Sequence, residues 1–213
     1  MTNGLPPHDT AAVLRHGPAP GAGRRGLVTV HGRGATAESI ALLAPAVGAY
    51  DAVVLAPRAS GQTWYPYSFL SPIAENEPGI SSGIAVLLAL VSELESEGIP
   101  ASRIAILGFS QGACLALEFA ARHARRYGAI IGFSGGLIGP PGTARDYHGT
   151  LDGTPVFLGC SDVDAHIPAA RVRETAAVLG AMGGVVDMRL YPGMAHTVND
   201  EELAAAAALV ASL

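Results

Sequence analysis

The amino-acid sequence predicts an α/β fold with a mostly parallel central sheet and helices on both faces. Short apolar runs that end in glycine, proline or a polar residue recur along the chain, as expected for strands buried on both faces. Segments with helical periodicity separate most of these runs, which is typical of a parallel sheet covered by helices. With 213 residues, of which 49% are hydrophobic, the chain is long enough for one well-packed core. We therefore expect a single domain over residues 1–213.

The elements follow in order along the chain. The predicted strands span 27–32, 52–57, 104–110, 129–135, 155–162 and 185–193. The predicted helices span 35–47, 81–97, 111–127, 169–182 and 200–213. Residues 1–24, rich in Gly, Pro and Ala, are expected to form a leader or an edge segment. The long connection 57–79 has no clear periodicity, and long ordered loops of this kind are often functional.

The pattern G-x-S-x-G occurs twice, around Ser110 and around Ser134. A nucleophilic serine of this type sits between a strand and the helix that directly follows it, and the flanking glycines prevent side-chain clashes in the sharp turn. Ser110 lies between the strand candidate IAILGF and the helical segment QGACLALEFAARHARR. Ser134 is followed by GGLIGPPG, whose paired prolines cannot continue a helix. Ser110 is therefore the predicted nucleophile, and Ser134 is predicted to form a turn or a pocket wall.

A nucleophilic serine needs an adjacent base, and the base needs an orienting acid. His196 lies in the loop YPGMAHTVND after the last predicted strand, just before a helix that Asn199 could cap. The run PVFLGCSDVDAHIP supplies two candidate acids, Asp162 and Asp164. The resulting chain order of serine, acid and histidine is the order found in α/β-hydrolases.

The tetrahedral oxyanion of acyl transfer needs two backbone N–H donors. The amide of Gln111, at the start of a predicted helix, would supply one, and the helix dipole favours an anion there. The amide of Arg33, in the glycine-containing HGRG turn at 31–34, would supply the other; an ordinary glycine-rich turn is the alternative. All these candidates lie at or after the carboxyl ends of predicted strands, at the sheet edge where ligands bind in open parallel sheets.

These motifs together resemble the small carboxylesterase and acyl-protein thioesterase family, also called the phospholipase/carboxylesterase family of α/β-hydrolases. The resemblance covers about residues 26–213 and rests on VHGRG, TWYP, GFSQGACLAL, GCSDVDAHIP and YPGMAHTV. It implies hydrolysis of carboxylic esters or thioesters of modest size, no large lid domain, no metal or organic cofactor, and a monomer or simple homodimer. By motif position it implies that Ser110, Asp164 and His196 form the triad and that Arg33 and Gln111 supply the oxyanion amides. Asp162 remains the alternative acid.

Two departures from the family pattern concern the substrate. Arg33 and Ala35 stand where the family's first loop usually has an apolar residue and an acid, which makes a lipid-like acyl chain a weaker expectation. Ala165 and His166 follow Asp164 where the family commonly has proline and apolar residues. His166 could pair with Asp162 or lie at the rim of the pocket.

The predicted substrate pocket contains His31, Trp64, Tyr65, Ser134 and His166. A flat wall suited to short acyl or aromatic esters would be formed by the aromatic residues of the 57–79 connection, Trp64, Tyr65, Tyr67 and Phe69. These residues would instead anchor the loop on the core in the alternative interpretation.

A substrate carboxylate is a further possibility that the basic residues raise. Arg33 and Arg58 both follow strand ends and could bind it, or could simply pair with the surface acids Glu38 and Glu75.

Composition limits the partners. The net charge of −5 and pI near 5.7 argue against nucleic-acid binding or an anionic membrane surface. No signal-peptide pattern begins the chain and no apolar run is expected to reach about 20 residues, so we expect no membrane span and a cytoplasmic protein. Cys114 and Cys160 are too few for a disulfide framework and are expected to be reduced core thiols. The expected partner is a small-molecule ester or thioester.

Two alternatives from other classes of function stay open. A non-catalytic binding protein with this fold need not retain the three triad residues, whereas this sequence has a candidate for each of them. A metal-assisted hydrolase built from His31, His166, His196 and Asp164 would lack any tight ligand spacing such as H-E-x-x-H. A cysteine nucleophile is disfavoured, because Cys114 falls one turn inside the predicted helix.

Overall fold

The computed structural model of the protein describes residues 7–8, 12–19, 21 and 24–213. Within these residues, seven strands form one sheet in the order β1-β3-β2-β4-β5-β6-β7. They are β1 (Val13–His16), β2 (Gly26–Val30), β3 (Val53–Pro57), β4 (Ile104–Phe109), β5 (Ala129–Phe133), β6 (Pro155–Ser161) and β7 (Val185–Tyr191). Strands β2 to β7 are mutually parallel, and β1 pairs antiparallel with β3 at the edge.

Helices cover both faces of the sheet. They are α1 (Ala37–Ala41), α2 (Leu43–Ala46), α3 (Gly79–Ser96), α4 (Gln111–Arg122), α5 (Ala169–Ala181) and α6 (Asp200–Ala211). Apolar side chains of α1, α2 and α6 pack on one face, and those of α3, α4 and α5 pack on the other. This arrangement confirms the predicted mostly parallel sheet with helices on both faces.

The predicted leader, residues 1–24, contributes β1 to the sheet. Its register aligns Val13 with Pro57 and His16 with Val54. Residues 1–6, 9–11, 20 and 22–23 of the leader lie outside the described part of the chain.

Two predicted helices differ from the observed ones. The segment predicted as one helix over 35–47 forms α1 and α2, because Pro45 has no N–H to donate to the carbonyl of Ala41, where α1 ends. Helix α4 ends at Arg122 instead of continuing to Tyr127, since His123 leaves helical geometry at φ −117° and ψ 47°. Tyr127 is thereby buried, and its amide donates to Thr154 Oγ1 at 2.9 Å.

The carboxyl ends of the parallel strands meet along one edge of the sheet. The register places Val30 of β2 beside Gly108 of β4, which in turn lies beside Gly132 of β5. Everything that follows these strands, including both G-x-S-x-G serines and the predicted acid and histidine loops, therefore projects from the same edge.

Helix α3 departs from the expectation that no apolar run reaches spanning length. Its 18 residues have a mean hydropathy of 1.4, and by length and composition alone it could cross a membrane. Of this segment, 56% is buried within the fold. Leu87, Leu90 and Leu94 are fully buried in the core, so packing against the sheet and α4 accounts for its apolar character.

Glu202, in the first turn of α6, is a buried carboxylate with a hydrogen-bond partner on only one of its two oxygens. Its Oε2 accepts the amide N–H of Asn199 at 2.9 Å, which completes a capping box. Among the described residues its Oε1 has no hydrogen-bond partner, and it packs against Gly159, where even an added methyl group would collide with it. Burial raises the pKa of Glu202, and the Asn199 N–H opposes that shift only in part.

The Glu202→Gln variant should unfold at a higher temperature than the wild type at pH 8, with an advantage that shrinks towards pH 4. A carboxyl with a raised folded-state pKa binds more protons when folded, so the wild type loses stability as pH rises through that range. Glutamine keeps the capping acceptor and removes the buried charge.

Thermal unfolding at several pH values would test this expectation, with Glu201→Gln as the matched control. Glu201 is the exposed neighbour in the same helical turn. If the difference in unfolding temperature between Glu202→Gln and the wild type stays constant across the pH range, the expectation is wrong.

Candidate active site

Ser110 lies at the sharp turn between β4 and α4. Its backbone adopts φ 55° and ψ −120°, a conformation that is strained for a residue with a side chain. A Cβ on Gly112 would lie 2.1 Å from the carbonyl oxygen of Val30, and one on Gly108 would lie 2.4 Å from that of Gly112. Glycine is required at both motif positions because strand β2, strand β4 and helix α4 approach too closely for a side chain.

The three predicted triad residues form one hydrogen-bonded line. Ser110 Oγ lies 2.9 Å from His196 Nε2, and His196 Nδ1 lies 2.7 Å from Asp164 Oδ2. A carboxylate oxygen can only accept, so His196 Nδ1 carries the proton and Nε2 is left to accept from the serine hydroxyl. This is the tautomer in which the histidine can take a proton from the serine.

The carboxylate of Asp164 is buried and held on both oxygens. Its side chain is 0% exposed, and Oδ1 accepts the amide N–H groups of His166 at 2.8 Å and Ile167 at 3.0 Å. The Cys160 thiol donates to Oδ2 at 3.7 Å. Burial acts to raise the pKa of Asp164, but the hydrogen bonds from His196 and the two amides outweigh it and lower that pKa. Asp164 is therefore ionised at neutral pH.

Asp162, the alternative acid, makes a different contact. It is exposed, and its Oδ1 accepts the amide N–H of Gly193 at 2.8 Å. This bond ties the loop after β6 to the loop that carries His196. Three residues after His196, Asn199 caps helix α6 and fixes the other end of the same loop.

The turn after β2 lies against the elbow. A Cβ placed on Gly32 would be 3.3 Å from the carbonyl oxygen of Phe109 and 3.4 Å from the Cβ of Ser110, so the turn packs closely against the elbow. Gln111 is the first residue of α4, and the amides of a helix's first turn have no intrahelical acceptor. Within the described residues, neither the amide of Gln111 nor that of Arg33 donates to a protein acceptor. Both N–H groups are thus available to an anion.

The side chains of Arg33 and Gln111 hold the 57–79 connection, called the aromatic loop from here on. The Arg33 guanidinium donates to the carbonyls of Pro66 at 2.8 Å and Tyr67 at 2.6 Å, and to Thr63 Oγ1 at 3.0 Å. Gln111 Oε1 accepts the amide of Trp64 at 2.9 Å, and its Nε2 donates to the carbonyl of Tyr65 at 2.8 Å. The loop that forms the cavity wall is therefore fixed by residues next to the serine.

A cavity of about 610 Å³ opens beside Ser110 and His196. Its wall is mainly aromatic and aliphatic, which suits an apolar part of a small ligand. The other lining residues are Gly32, Arg33, Ala35, Tyr65, Pro66, Tyr67, Ser68, Phe69, Phe109, Gln111, Cys114, His166 and Ile167. Of the residues predicted for the pocket, Tyr65 and His166 therefore line this cavity.

His31, Trp64 and Ser134 are not among the residues that line the cavity. Trp64 is fully buried and its indole N–H donates to the carbonyl of His31 at 2.9 Å, so this aromatic residue anchors the loop on the core. His31 is buried as well, and its ring nitrogens contact the carbonyl of Gly32 and the amide of Ala59. Burial lowers the pKa of His31.

Ser134 shares the strained backbone of Ser110 but not its setting. Its φ is 49°, its side chain is fully buried, and no helix follows it. Its amide donates to the carbonyl of Gly159 at 2.7 Å, while the amide of Ser110 donates to that of Phe133 at 2.9 Å. Ser134 therefore forms a buried turn and is not among the residues that line the cavity.

His166 and Arg58 also have defined partners. The His166 ring meets the His196 ring edge-on, with centroids 4.8 Å apart, and lies at the cavity rim instead of pairing with Asp162. Arg58 forms an ion pair with Glu38, one of the two acids proposed for it, and is not a lining residue.

The pocket expected from the sequence included neither Phe109 nor Ile167, and both line the cavity. A signal for both was present. Phe109 immediately precedes the predicted nucleophile, and Ile167 closely follows the acid, so both belong to loops already placed at this edge. Three of the four aromatic residues expected at the wall line the cavity, namely Tyr65, Tyr67 and Phe69, and Trp64 does not. The aperiodic connection has no pattern that would separate them.

Both cysteines are free and buried. Burial raises the pKa of Cys114 and of Cys160 to about 12, so each remains a protonated thiol near neutral pH. Cys114 lies at the cavity wall as an uncharged group.

Known proteins resemble this chain in sequence and in fold. Acyl-protein thioesterase 1 of Yarrowia lipolytica is 28% identical over 145 residues, which cover 66% of this chain and 64% of that protein. The protein of the same name from Eremothecium gossypii is 30% identical over 148 residues, which cover 67% of this chain and 61% of the relative. The chain thus spans less than two thirds of the length of these curated relatives.

A solved structure extends the likeness over nearly the whole chain. The phospholipase/carboxylesterase from Dyadobacter fermentans superimposes with a TM-score of 0.88 at 40% identity, covering 94% of this chain and 96% of that one. The sequence profile of the phospholipase/carboxylesterase family matches residues 7–212. The protein belongs to the phospholipase/carboxylesterase family of α/β-hydrolases.

Proposed function

We propose that the protein is a serine esterase that cleaves small carboxylic esters through an acyl-enzyme intermediate. The observation that carries this proposal is the hydrogen-bonded line from Ser110 through His196 to Asp164, which opens onto the cavity. In this proposal Ser110 is the nucleophile, His196 the general base and acid, and Asp164 the orienting acid.

Acylation begins when Ser110 Oγ attacks the ester carbonyl and His196 Nε2 accepts its proton. The carbonyl oxygen becomes an oxyanion, which the amides of Gln111 and Arg33 stabilise by hydrogen bonds. The imidazolium then gives its proton to the leaving alcohol as the carbon–oxygen bond breaks. The ionised carboxylate of Asp164 stabilises the imidazolium while it exists.

Deacylation repeats these steps with water as the nucleophile. His196 takes a proton from the water, the hydroxide attacks the acyl carbonyl, and the proton returns to Ser110 Oγ as the carboxylic acid departs. Apart from the ester and this water, both halves of the reaction use only groups of the chain.

The substrate in this proposal has a short acyl chain or an aromatic group. Tyr65, Phe69, Phe109 and Ile167 supply the apolar wall that such a group would contact. The cytoplasmic location expected from the sequence remains part of the proposal, as does the monomer or simple homodimer that the family resemblance implies.

Hydrolysis of p-nitrophenyl esters from acetate to palmitate would test the function. We expect turnover of acetate and butyrate, a fall in kcat/KM for palmitate, and no effect of a metal chelator on the rate. A fluorophosphonate probe should label Ser110 in the folded protein, because an activated serine reacts with it and an ordinary hydroxyl does not. Peptide mass spectrometry would identify the labelled residue.

Parallel assays with the corresponding thioesters separate the two leaving groups. A kcat/KM ratio that favours the thioester would identify a thioesterase instead of an esterase. Folded protein that neither hydrolyses any ester or thioester nor reacts with the probe would favour a non-catalytic binding role.

A further inference from the structure

The charge of the cavity lining differs in sign from that of the protein as a whole. The chain carries 18 Asp and Glu against 13 Lys and Arg, yet none of the cavity-lining residues is acidic. Burial raises the pKa of both Tyr65 and Cys114, which keeps these two lining groups neutral. The permanent charge of the lining is therefore that of Arg33, with two histidines beside it.

Arg33 is exposed, and its positive charge is held in place without being neutralised. Its guanidinium donates only to neutral acceptors, namely the Thr63 hydroxyl and the carbonyls of Pro66 and Tyr67. Within the described residues no carboxylate lies within ion-pair distance of it, whereas Arg58 is paired with Glu38. Three hydrogen bonds fix the group in one orientation, so little side-chain entropy remains to be lost when an anion binds.

We propose that the substrates are esters that carry a carboxylate, and that Arg33 binds this carboxylate while the ester bond lies at Ser110. The inference rests on the proposed esterase function and names its substrate class. An arginine binds a planar carboxylate through charge-assisted hydrogen bonds, which are stronger than neutral ones. The apolar wall of Tyr65, Phe69 and Phe109 would contact the hydrocarbon between the two groups.

The test compares two matched pairs of esters on the wild type. Mono-p-nitrophenyl glutarate against p-nitrophenyl pentanoate places the carboxylate in the acyl part, and 3-acetoxybenzoate against phenyl acetate places it in the alcohol part. At least one anionic ester should have a kcat/KM above that of its neutral partner, after correction for spontaneous hydrolysis. This preference should fall as NaCl is raised, because salt screens the attraction.

Three variants separate charge from loop support. Arg33→Leu should lower the anionic-to-neutral ratio of kcat/KM on the order of 10- to 100-fold, mainly through KM, which is the range of one charged hydrogen-bonding group. Arg33→Lys keeps the charge and should retain most of the ratio. Arg58→Leu, the matched control outside the cavity, should leave the ratio unchanged. All three keep the backbone amide at position 33.

The outcomes distinguish a failure of this inference from a failure of the proposed esterase function. If the wild type shows equal kcat/KM for the anionic and the neutral ester of both pairs, the inference is wrong and the proposed esterase function stands. An equal loss for all four esters in Arg33→Leu would mean that Arg33 only supports the loop, which also overturns it. If the folded wild type cleaves none of the four esters, the proposed esterase function is wrong, and so is the inference that rests on it.

Discussion

Replacing Ser110 with alanine should lower kcat by about 10^5- to 10^6-fold and leave the fold intact. Losses of this size follow removal of the nucleophile from a serine triad, because the remaining groups supply only oxyanion binding and orientation. Among the described residues, the Ser110 hydroxyl forms a hydrogen bond only to His196, so its removal should change the unfolding temperature little. The measurement is steady-state hydrolysis of p-nitrophenyl butyrate, with thermal unfolding of the same samples.

Ser134→Ala is the matched control for this variant. Both serines occupy a G-x-S-x-G pattern, and both have a positive φ, 55° for Ser110 and 49° for Ser134. The Ser134 hydroxyl is buried, and among the described residues it has no hydrogen-bond partner and does not line the cavity. Its removal should therefore change kcat by no more than a few-fold. A Ser110→Ala enzyme with more than a small fraction of wild-type turnover, or an equal loss in Ser134→Ala, would reject Ser110 as the nucleophile.

The sequence alone predicted that the serine, acid and histidine loops lie at one edge of the sheet. Parallel strands fix which loops meet, so residues that directly follow strands, such as Ser110, could be placed at one edge from the strand predictions alone. The break between α1 and α2 was also visible in the sequence, as Pro45 inside an apolar helical pattern.

The direction of side chains in the aromatic loop could not be predicted in this way. Trp64 and Tyr65 are adjacent, yet Tyr65 lines the cavity and the fully buried Trp64 does not. Helices and strands have a period that separates inner from outer faces, and the 57–79 connection has none. Its shape depends on long-range bonds from Arg33 and Gln111, which follow from the three-dimensional fold alone.

The two candidate acids differ in the groups that they contact. Asp164 accepts from His196, and Asp162 accepts from the amide of Gly193. Both residues lie within three positions of the end of β6, so spacing alone left them equivalent. Two matched amide substitutions, Asp164→Asn and Asp162→Asn, should therefore have very different effects.

Asp164→Asn should lower kcat by about 10^4-fold, the loss expected when the triad histidine is held in the wrong tautomer. The amides of His166 and Ile167 both point at Oδ1, so the asparagine oxygen must occupy that position. The asparagine NH2 group then faces His196 Nδ1, which can only accept from it. The proton moves to Nε2, and His196 can no longer accept the proton of Ser110.

Asp162→Asn should retain kcat within a few-fold, because an asparagine oxygen can still accept the N–H of Gly193. The rates of both variants with p-nitrophenyl butyrate, at matched unfolding temperatures, decide between the acids. A large loss in Asp162→Asn together with a small one in Asp164→Asn would move the acid to Asp162. That result would also require the loop after β6 to rearrange, since Asp162 is exposed and its Oδ1 is bonded to the histidine loop and not to the histidine itself.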